Sequence, residues 1–404
     1  MVNSSPTPVP RWWQHPELRT DEEFERHRAV TWLELFFDLV FVVVIARLAH
    51  HLAGHLDVTG IVSFCILFAA VFWVWNAYTY YTERFESDGI ETRLQLFVSL
   101  VCVAGLAVWA EDGLGDHYLG FALFYLAARA VNQVGWLRAA LHIRVFRPVA
   151  WRFIAGYGVV VALVLSGLAT DGTPRTIMFA TAILADVATP YFTVRQQRDL
   201  PRLSTSKFPE RFGLFTIIVL GESIVGVIAG LSELNEAGEL SVRGGIDGLL
   251  GLAIGFGLWW VYFDFIARRP YRDSFGSALA WVYLHLVTLT TFTMTGVGIS
   301  SVIGDTELSG LTTDARLLLV WSAGIGLIAL GVLETTLRRS EDEPTDPRVS
   351  PALKIVGGTG IAILGSLDLG WTTWALLSAV VVTLGLQAAY GVTVWYRHPA
   401  TTNR

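Results

Sequence analysis

The chain has 404 residues, of which 53% are hydrophobic and only 16% are charged, and its net charge is −6. Its mean hydropathy is +0.51, and its charged fraction lies well below the roughly 25% typical of soluble domains. This composition argues against a soluble globular protein, a disulfide-rich scaffold and a nucleic-acid binder. The two cysteines, Cys65 and Cys102, lie in apolar runs and are interpreted as packing residues.

Twelve segments are long and apolar enough to cross a bilayer core of roughly 30 Å. They are residues 30–53, 61–82, 93–110, 118–137, 151–170, 175–194, 209–232, 245–266, 277–300, 315–337, 352–369 and 371–396. The sequence therefore predicts an all-α, polytopic membrane bundle of about twelve helices. Its parts are an amino-terminal arm (1–29), a first six-helix half (30–194), a connecting loop (195–208), a second half (209–396) and a tail (397–404).

Positive charge is distributed unevenly between the two sets of loops. With twelve spans, 24 of the 29 lysines and arginines fall on the side that carries both termini. Cytoplasmic loops of membrane proteins collect positive charge. We therefore expect a multi-pass protein of the cytoplasmic membrane with both termini in the cytoplasm.

A faint internal repeat relates the two halves. Sliding the chain by 184 positions aligns Asp38 with Glu222 and Trp75 with Trp259. Because each half has an even number of spans, the halves would be parallel repeats, as in some transporters. The alternative is that tryptophans align only because they collect at the membrane interface.

The first and fourth predicted spans carry charged side chains at positions where charge is costly. Glu34 and Asp38 are four residues apart and so share a helix face. Arg129 lies near the middle of the fourth span, followed one turn later by Asn132. Charges within a membrane need a partner, and we interpret Arg129 as the counter-ion of the two acids.

Three further spans contain candidate site residues. In the sixth, Pro190 has no N–H for the carbonyl of Asp186, which predicts a broken helix with a free carbonyl beside a carboxylate. In the seventh, Glu222 lies between a glycine and Ser223. His285 adds a titratable group in the ninth. Four acids against one central arginine predict a bound proton or cation, although each charge could instead be a structural link between helices.

The sequence gives little support for a metal site or a hydrolase active site. His51 and His55 have the spacing of a metal pair, but no further ligands complete a site. The string GESIVG lacks the spacing of a hydrolase nucleophile turn. We expect no metal, no cofactor and no enzymatic activity.

Three motifs, TWLELFFDLVFVVVIARLAHHL, LADVATPYF and FPERFGLFTIIVLGESIVGV, occur in this order along the chain. They resemble the signature segments of the bacterial low temperature requirement protein A family. The resemblance covers nearly the whole chain and includes Asp38, Asp186, Arg211 and Glu222. It implies a polytopic membrane protein named for a cold-growth phenotype, and it carries no settled activity.

The leading hypothesis is a secondary transporter whose buried acids bind a proton or small cation and which moves an unknown small solute. The alternative is a non-transporting sensor or assembly protein whose buried charges are structural. The expected partner in both cases is the lipid bilayer and not nucleic acid. The oligomeric state is left open by the sequence.

Overall fold

The computed structural model describes most of the chain. The described residues are 16–18, 30–86, 89–198, 200–201, 203, 207–236, 238, 240–267, 269–304, 311–339 and 343–397. Most of the predicted arm and nearly all of the predicted tail lie outside these residues. The connecting loop is described only in part.

Each of the twelve predicted segments coincides with a helix. The helices are α1 Trp32–Ala53, α2 Val58–Arg84, α3 Ile90–Val108, α4 Tyr118–His142, α5 Arg147–Gly167, α6 Thr173–Ala188, α7 Lys207–Glu236, α8 Val242–Tyr262, α9 Phe275–Gly304, α10 Thr313–Thr335, α11 Val349–Ser366 and α12 Thr373–Arg397. A two-residue antiparallel ribbon, β1 Glu17–Leu18 with β2 Phe85–Glu86, adds a small strand pair that the all-α prediction did not include.

Local sequence signals account for several helix ends. Thr31 and Glu34 form a reciprocal capping box at the start of α1. Asp57 caps α2 by accepting the Gly60 N–H over 2.8 Å. α6 ends at Ala188 and continues as a tighter 3-10 turn that contains Pro190, so the helix break predicted at this proline is confirmed.

The helices of each half pack in a similar way. In the first half, α1 contacts α2 and α3, α4 contacts α2, α3 and α5, and α6 contacts α2 and α5. In the second half, α7 contacts α8 and α9, α10 contacts α9 and α11, and α12 contacts α8 and α11. The halves meet where α1 and α2 pack against α7 and α9.

Ten helices in the described part of the chain are long and apolar enough to cross a membrane. The other two, α1 and α4, carry the charged and amide side chains examined below. Large apolar side chains such as Phe36, Leu39 and Leu184 point outward, as expected for a surface that faces lipid. The protein is therefore a polytopic helical membrane protein.

Two glycines allow α10 and α11 to approach closely. A Cβ atom added at Gly324 would lie 2.6 Å from the carbonyl oxygen of Gly358, and one at Gly358 would meet the Gly324 carbonyl. Such contacts are typical of small residues at helix interfaces in membranes.

We expect Gly358→Val to cost about 1–3 kcal/mol of stability, because the new side chain would force these backbones apart. The matched control is Gly360→Val, since nothing lies within 4 Å of a Cβ at that position of the same helix. Thermal unfolding of the detergent-purified variants measures the difference. Equal melting temperatures would contradict the close packing.

Candidate functional site

Four charged side chains meet between α1 and α7, and we call them the interhalf cluster: Glu34, Asp38, Lys207 and Arg211. Arg211 Nη2 donates to Asp38 Oδ1 over 2.7 Å. Lys207 Nζ lies 2.8 Å from Glu34 Oε1, and Arg211 Nη1 lies 3.9 Å from the same oxygen. All four side chains are buried. The cluster therefore joins the first helix of one half to the first helix of the other.

Helix geometry explains how the interhalf cluster is built. Its two acids are spaced i, i+4 on α1, and its two cations are spaced i, i+4 on α7, so each pair occupies one face. Glu34 also accepts the Thr31 N–H over 3.0 Å at the start of α1. The formal charges of the cluster sum to zero, so each buried charge has an opposite charge beside it that offsets part of the cost of burial.

Aromatic side chains surround the Asp38–Arg211 pair. Trp75 Nε1 donates to Asp38 Oδ1 over 2.7 Å, and the Arg211 guanidinium lies 5.7 Å from the centre of the Trp75 ring. Trp75 stacks on Phe215 of α7 with ring centres 4.2 Å apart. Asp38 Oδ2 has no hydrogen-bond partner among the described residues. The pair is thus held rigidly through one carboxylate oxygen.

A second buried ion pair joins α4 to α6 inside the first half. Arg129 donates through Nε to Asp186 Oδ2 over 2.7 Å and through Nη2 to Asp186 Oδ1 over 2.5 Å. The Tyr125 hydroxyl donates to Asp186 Oδ2 over 2.6 Å. This two-pronged geometry is the strong form of an arginine–carboxylate contact.

The counter-ion prediction was therefore wrong. Arg129 binds Asp186, and the acids of α1 are matched by Lys207 and Arg211. The sequence placed Lys207 in the connecting loop and Arg211 near the cytoplasmic end of the seventh predicted span. Three of the four predicted acids have cationic partners, so the predicted excess of buried negative charge is reduced to Glu222. The Asp186 carbonyl is not free, because the Thr189 N–H donates to it.

Glu222 and Ser223 are adjacent in α7 but have different surroundings. Glu222 is half-buried and has no hydrogen bond or ion pair with any other residue that the structure describes. Ser223 is buried against α9, where a Cβ at Gly296 would lie 3.0 Å from its Cα atom. Its hydroxyl has no partner in the described part of the chain. Of the four acids predicted as site residues, Glu222 is therefore the one without a cationic partner among the described residues.

His285 is enclosed by hydrogen bonds and rings. Its Nδ1 lies 2.8 Å from the Trp281 carbonyl oxygen, so this nitrogen carries the proton. Its Nε2 lies 3.0 Å from the Tyr262 hydroxyl, which then donates to it. The ring also packs edge-on against Phe212. This arrangement provides a hydrogen-bond partner for each ring nitrogen of a neutral histidine.

A third buried ion cluster, absent from the predicted site, lies in the second half. Glu334 Oε1 lies 2.7 Å from Arg269 Nη2, and Glu334 Oε2 lies 2.9 Å from Lys354 Nζ. Ser350 also donates to Glu334. An acid inside the tenth predicted span and a lysine inside the eleventh were the signals that could have revealed it.

A vestibule opens between the halves at the basic end, by which we mean the end where α1, α7 and α9 begin and α2 and α6 finish. Its outer chamber is about 480 Å³. Its inner chamber is about 40 Å³. The chambers share Leu203, Phe275 and Ala278 as lining residues, so we treat them as one path. Arg129 lines the inner chamber.

Two residues that line the inner chamber each have one buried polar atom without a partner among the described residues. These are Arg129 Nη1 and Asn76 Oδ1, whose side chains are only 3% and 7% exposed. Asn132, one turn beyond Arg129, donates to the Ala77 carbonyl over 3.1 Å but does not line the chamber's described wall. No group of three metal-binding side chains was found within the described ranges.

Comparison with known proteins identifies the family. The sequence-family model of the bacterial low temperature requirement A protein (LtrA) matches residues 29–395. An uncharacterized protein of Rhizobium meliloti (strain 1021) is 26% identical over 246 residues, which make up 57% of this chain and 57% of that relative. The chain thus spans little more than half the length of this curated relative. No solved structure matches the chain. The resemblance of the three motifs is confirmed, and the chain belongs to the bacterial low temperature requirement A family.

Proposed function

We propose that this protein is a secondary transporter that moves a small polar solute across the cytoplasmic membrane without changing it chemically. The observation that carries the proposal is the vestibule between the two halves, whose inner chamber is lined by Arg129 and Asn76, each with one buried polar atom that has no partner among the described residues. Buried polar groups are almost always paired in proteins. Their unmet hydrogen bonds favour a site that is filled by a solute from the vestibule.

Orientation and symmetry support the same proposal. The basic end carries most of the lysines and arginines, so we place it, with both termini, in the cytoplasm. Most of the helix contacts within α1–α6 have a counterpart within α7–α12, which supports two parallel six-helix repeats. Solute sites at the interface of such repeats are common in transporters. Rocking of one half against the other would open the vestibule to the opposite side.

In this proposal, Glu222 is the residue that couples solute movement to a proton or small cation. The other three acids already have cationic partners. A half-buried carboxylate inside a membrane helix is costly as an anion. Glu222 would therefore exchange a proton or bind a cation as the halves move.

We expect Glu222→Gln to abolish proton movement that wild-type protein catalyses in proteoliposomes with a trapped pH dye under an imposed potential. The substitution removes the exchangeable proton but keeps the shape of the side chain. The matched control is Glu233→Gln, which removes an exposed carboxylate from the same helix and should leave proton flux unchanged. Equal flux in all three proteins would reject Glu222 as the coupling group.

Transport itself can be tested without knowing the solute. In a background with Cys65 and Cys102 replaced by alanine, a cysteine at Ala278 would line the vestibule. We expect membrane-impermeant thiol reagents to reach it from the cytoplasmic side in one state and from the opposite side in another. The control is a cysteine at Ala49, a buried position of α1 away from the vestibule lining, which should stay unlabelled. Access from one side under every condition would contradict alternating access.

A non-transporting sensor or assembly protein is the second candidate. The observation that favours it is that Glu34, Asp38 and Asp186 each form a buried ion pair. Buried pairs of this kind can hold helices together without taking part in transport. If this candidate is correct, thiol reagents should reach the vestibule from one side alone, and the protein should catalyse no proton flux.

A further inference from the structure

The inner chamber carries a donor and an acceptor that no protein group satisfies. Arg129 Nη1 is an N–H donor on a cation, and Asn76 Oδ1 is a neutral carbonyl acceptor. Both residues line the same space. A ligand that completes both must offer an acceptor oxygen at one end and an N–H or O–H donor at the other.

The net charge of the chamber limits the net charge of that ligand. Arg129 is neutralised by Asp186 through two hydrogen bonds, so the wall has no surplus charge to offset an ion. An ion brought to this depth without an opposite charge would be costly. The geometry therefore favours a ligand that is neutral as a whole.

Each end of the chamber nevertheless favours a charged group. The free guanidinium N–H of Arg129 binds an anionic oxygen more strongly than a neutral one. Around Asn76 the wall is aromatic, with Trp73, Tyr80 and Trp136 lining the space. Aromatic faces attract cations, and the Asn76 carbonyl can accept from an ammonium N–H.

We infer that the inner chamber binds a small zwitterion of the amino-acid type, with its carboxylate on Arg129 Nη1 and its ammonium on Asn76 Oδ1. This inference rests on the proposed function, because it names the class of solute that the vestibule would carry. The chamber volume of about 40 Å³ corresponds to about three buried waters, each of which needs about 10–15 Å³. That space suits glycine or alanine better than a larger solute.

Binding can be measured without transport. The full-length protein, purified in detergent, is melted in the presence of glycine, alanine, acetate, methylammonium or glycerol at equal concentrations. We expect glycine or alanine to raise the melting temperature, and the other three solutes to have much smaller effects. A ligand that binds only the folded state stabilises it in proportion to its occupancy.

Variants then locate the site. Asn76→Leu keeps a similar side-chain volume but removes the acceptor, and we expect it to weaken zwitterion binding about tenfold to a hundredfold. The matched control is Gln387→Leu, which removes a buried amide from α12, where it donates to the Leu353 carbonyl. This control should keep the wild-type response to glycine. An equal response of Asn76→Leu and Gln387→Leu would overturn the assigned site.

The wild-type solute panel is decisive even if Asn76→Leu fails to fold. Stabilisation by acetate alone, by methylammonium alone or by none of the solutes would overturn the inference. If glycine binds in detergent but proteoliposomes take up no solute, the ligand class stands and the transport proposal fails. If proteoliposomes take up another solute and no zwitterion binds, transport stands and this inference fails.

Discussion

Replacing Arg211 with methionine is expected to cost about 3–5 kcal/mol of stability, one of the two largest effects that we predict. The substitution removes the cation that lies 2.7 Å from Asp38 and leaves that carboxylate buried without a charge partner. Glu34, one turn away, would then have Lys207 alone as its counter-ion. We expect loss of monodisperse protein in size-exclusion chromatography and a much lower melting temperature.

The double variant Asp38→Asn with Arg211→Met separates the charge from the packing. Asparagine keeps a carbonyl oxygen for Trp75 Nε1, while neither charge remains. Replacing both partners of a buried ion pair often costs little, so the double variant should recover most of the lost stability. Because this pair lies outside the inner chamber, the double variant should still bind a zwitterion.

An exposed ion pair provides the control for this prediction. Arg47 donates to Glu111 over 2.7 Å, and this hydrogen bond holds the pKa of the exposed Glu111 carboxyl below its usual value. Removing it with Arg47→Met should cost no more than about 1 kcal/mol. An Arg211→Met protein as stable as Arg47→Met would show that the interhalf cluster does not hold the halves together.

The course of the helices could be predicted from the sequence because hydropathy is a local property. Every predicted span coincides with a helix, and the break at Pro190 follows from a missing N–H. Ion pairing is not local, since it depends on which helices are neighbours. No acidic residue lies close to Arg129 in the sequence, and the folding of the chain brings α4 and α6 together so that Arg129 meets Asp186.

The missed partners of Glu34 and Asp38 have a specific cause. A hydropathy scan starts the seventh span at 209 and so leaves Lys207 in the loop, whereas α7 begins at Lys207. Arg211 lies inside the predicted span, but its position near the cytoplasmic end suggested an exposed charge, and the side chain is buried. The i, i+4 spacing of Lys207 and Arg211 mirrors that of the two acids, and this match was the signal available in the sequence. Asn76 gave no such signal, because an unmet hydrogen bond becomes visible only in the folded chain.

Substitutions in the Arg129–Asp186 pair should have a different effect, because this pair stabilises the fold and Arg129 also lines the inner chamber. Arg129→Met leaves Asp186 buried with only the Tyr125 hydroxyl, and we expect a loss of about 3–5 kcal/mol. In the double variant Arg129→Met with Asp186→Asn, no charge remains unpaired and Tyr125 keeps an acceptor. Stability should therefore return, as measured by the melting temperature in detergent.

Binding should not return with it, because Arg129 Nη1 is the donor that the inner chamber offers to a solute. We expect the folded double variant to show no stabilisation by glycine and no solute uptake, whereas the Asp38→Asn with Arg211→Met protein retains both. The two double variants thus form matched controls, since each removes one buried ion pair and only one changes the chamber. Equal binding by the two would make the Arg129–Asp186 pair a purely structural link and would favour the sensor or assembly role.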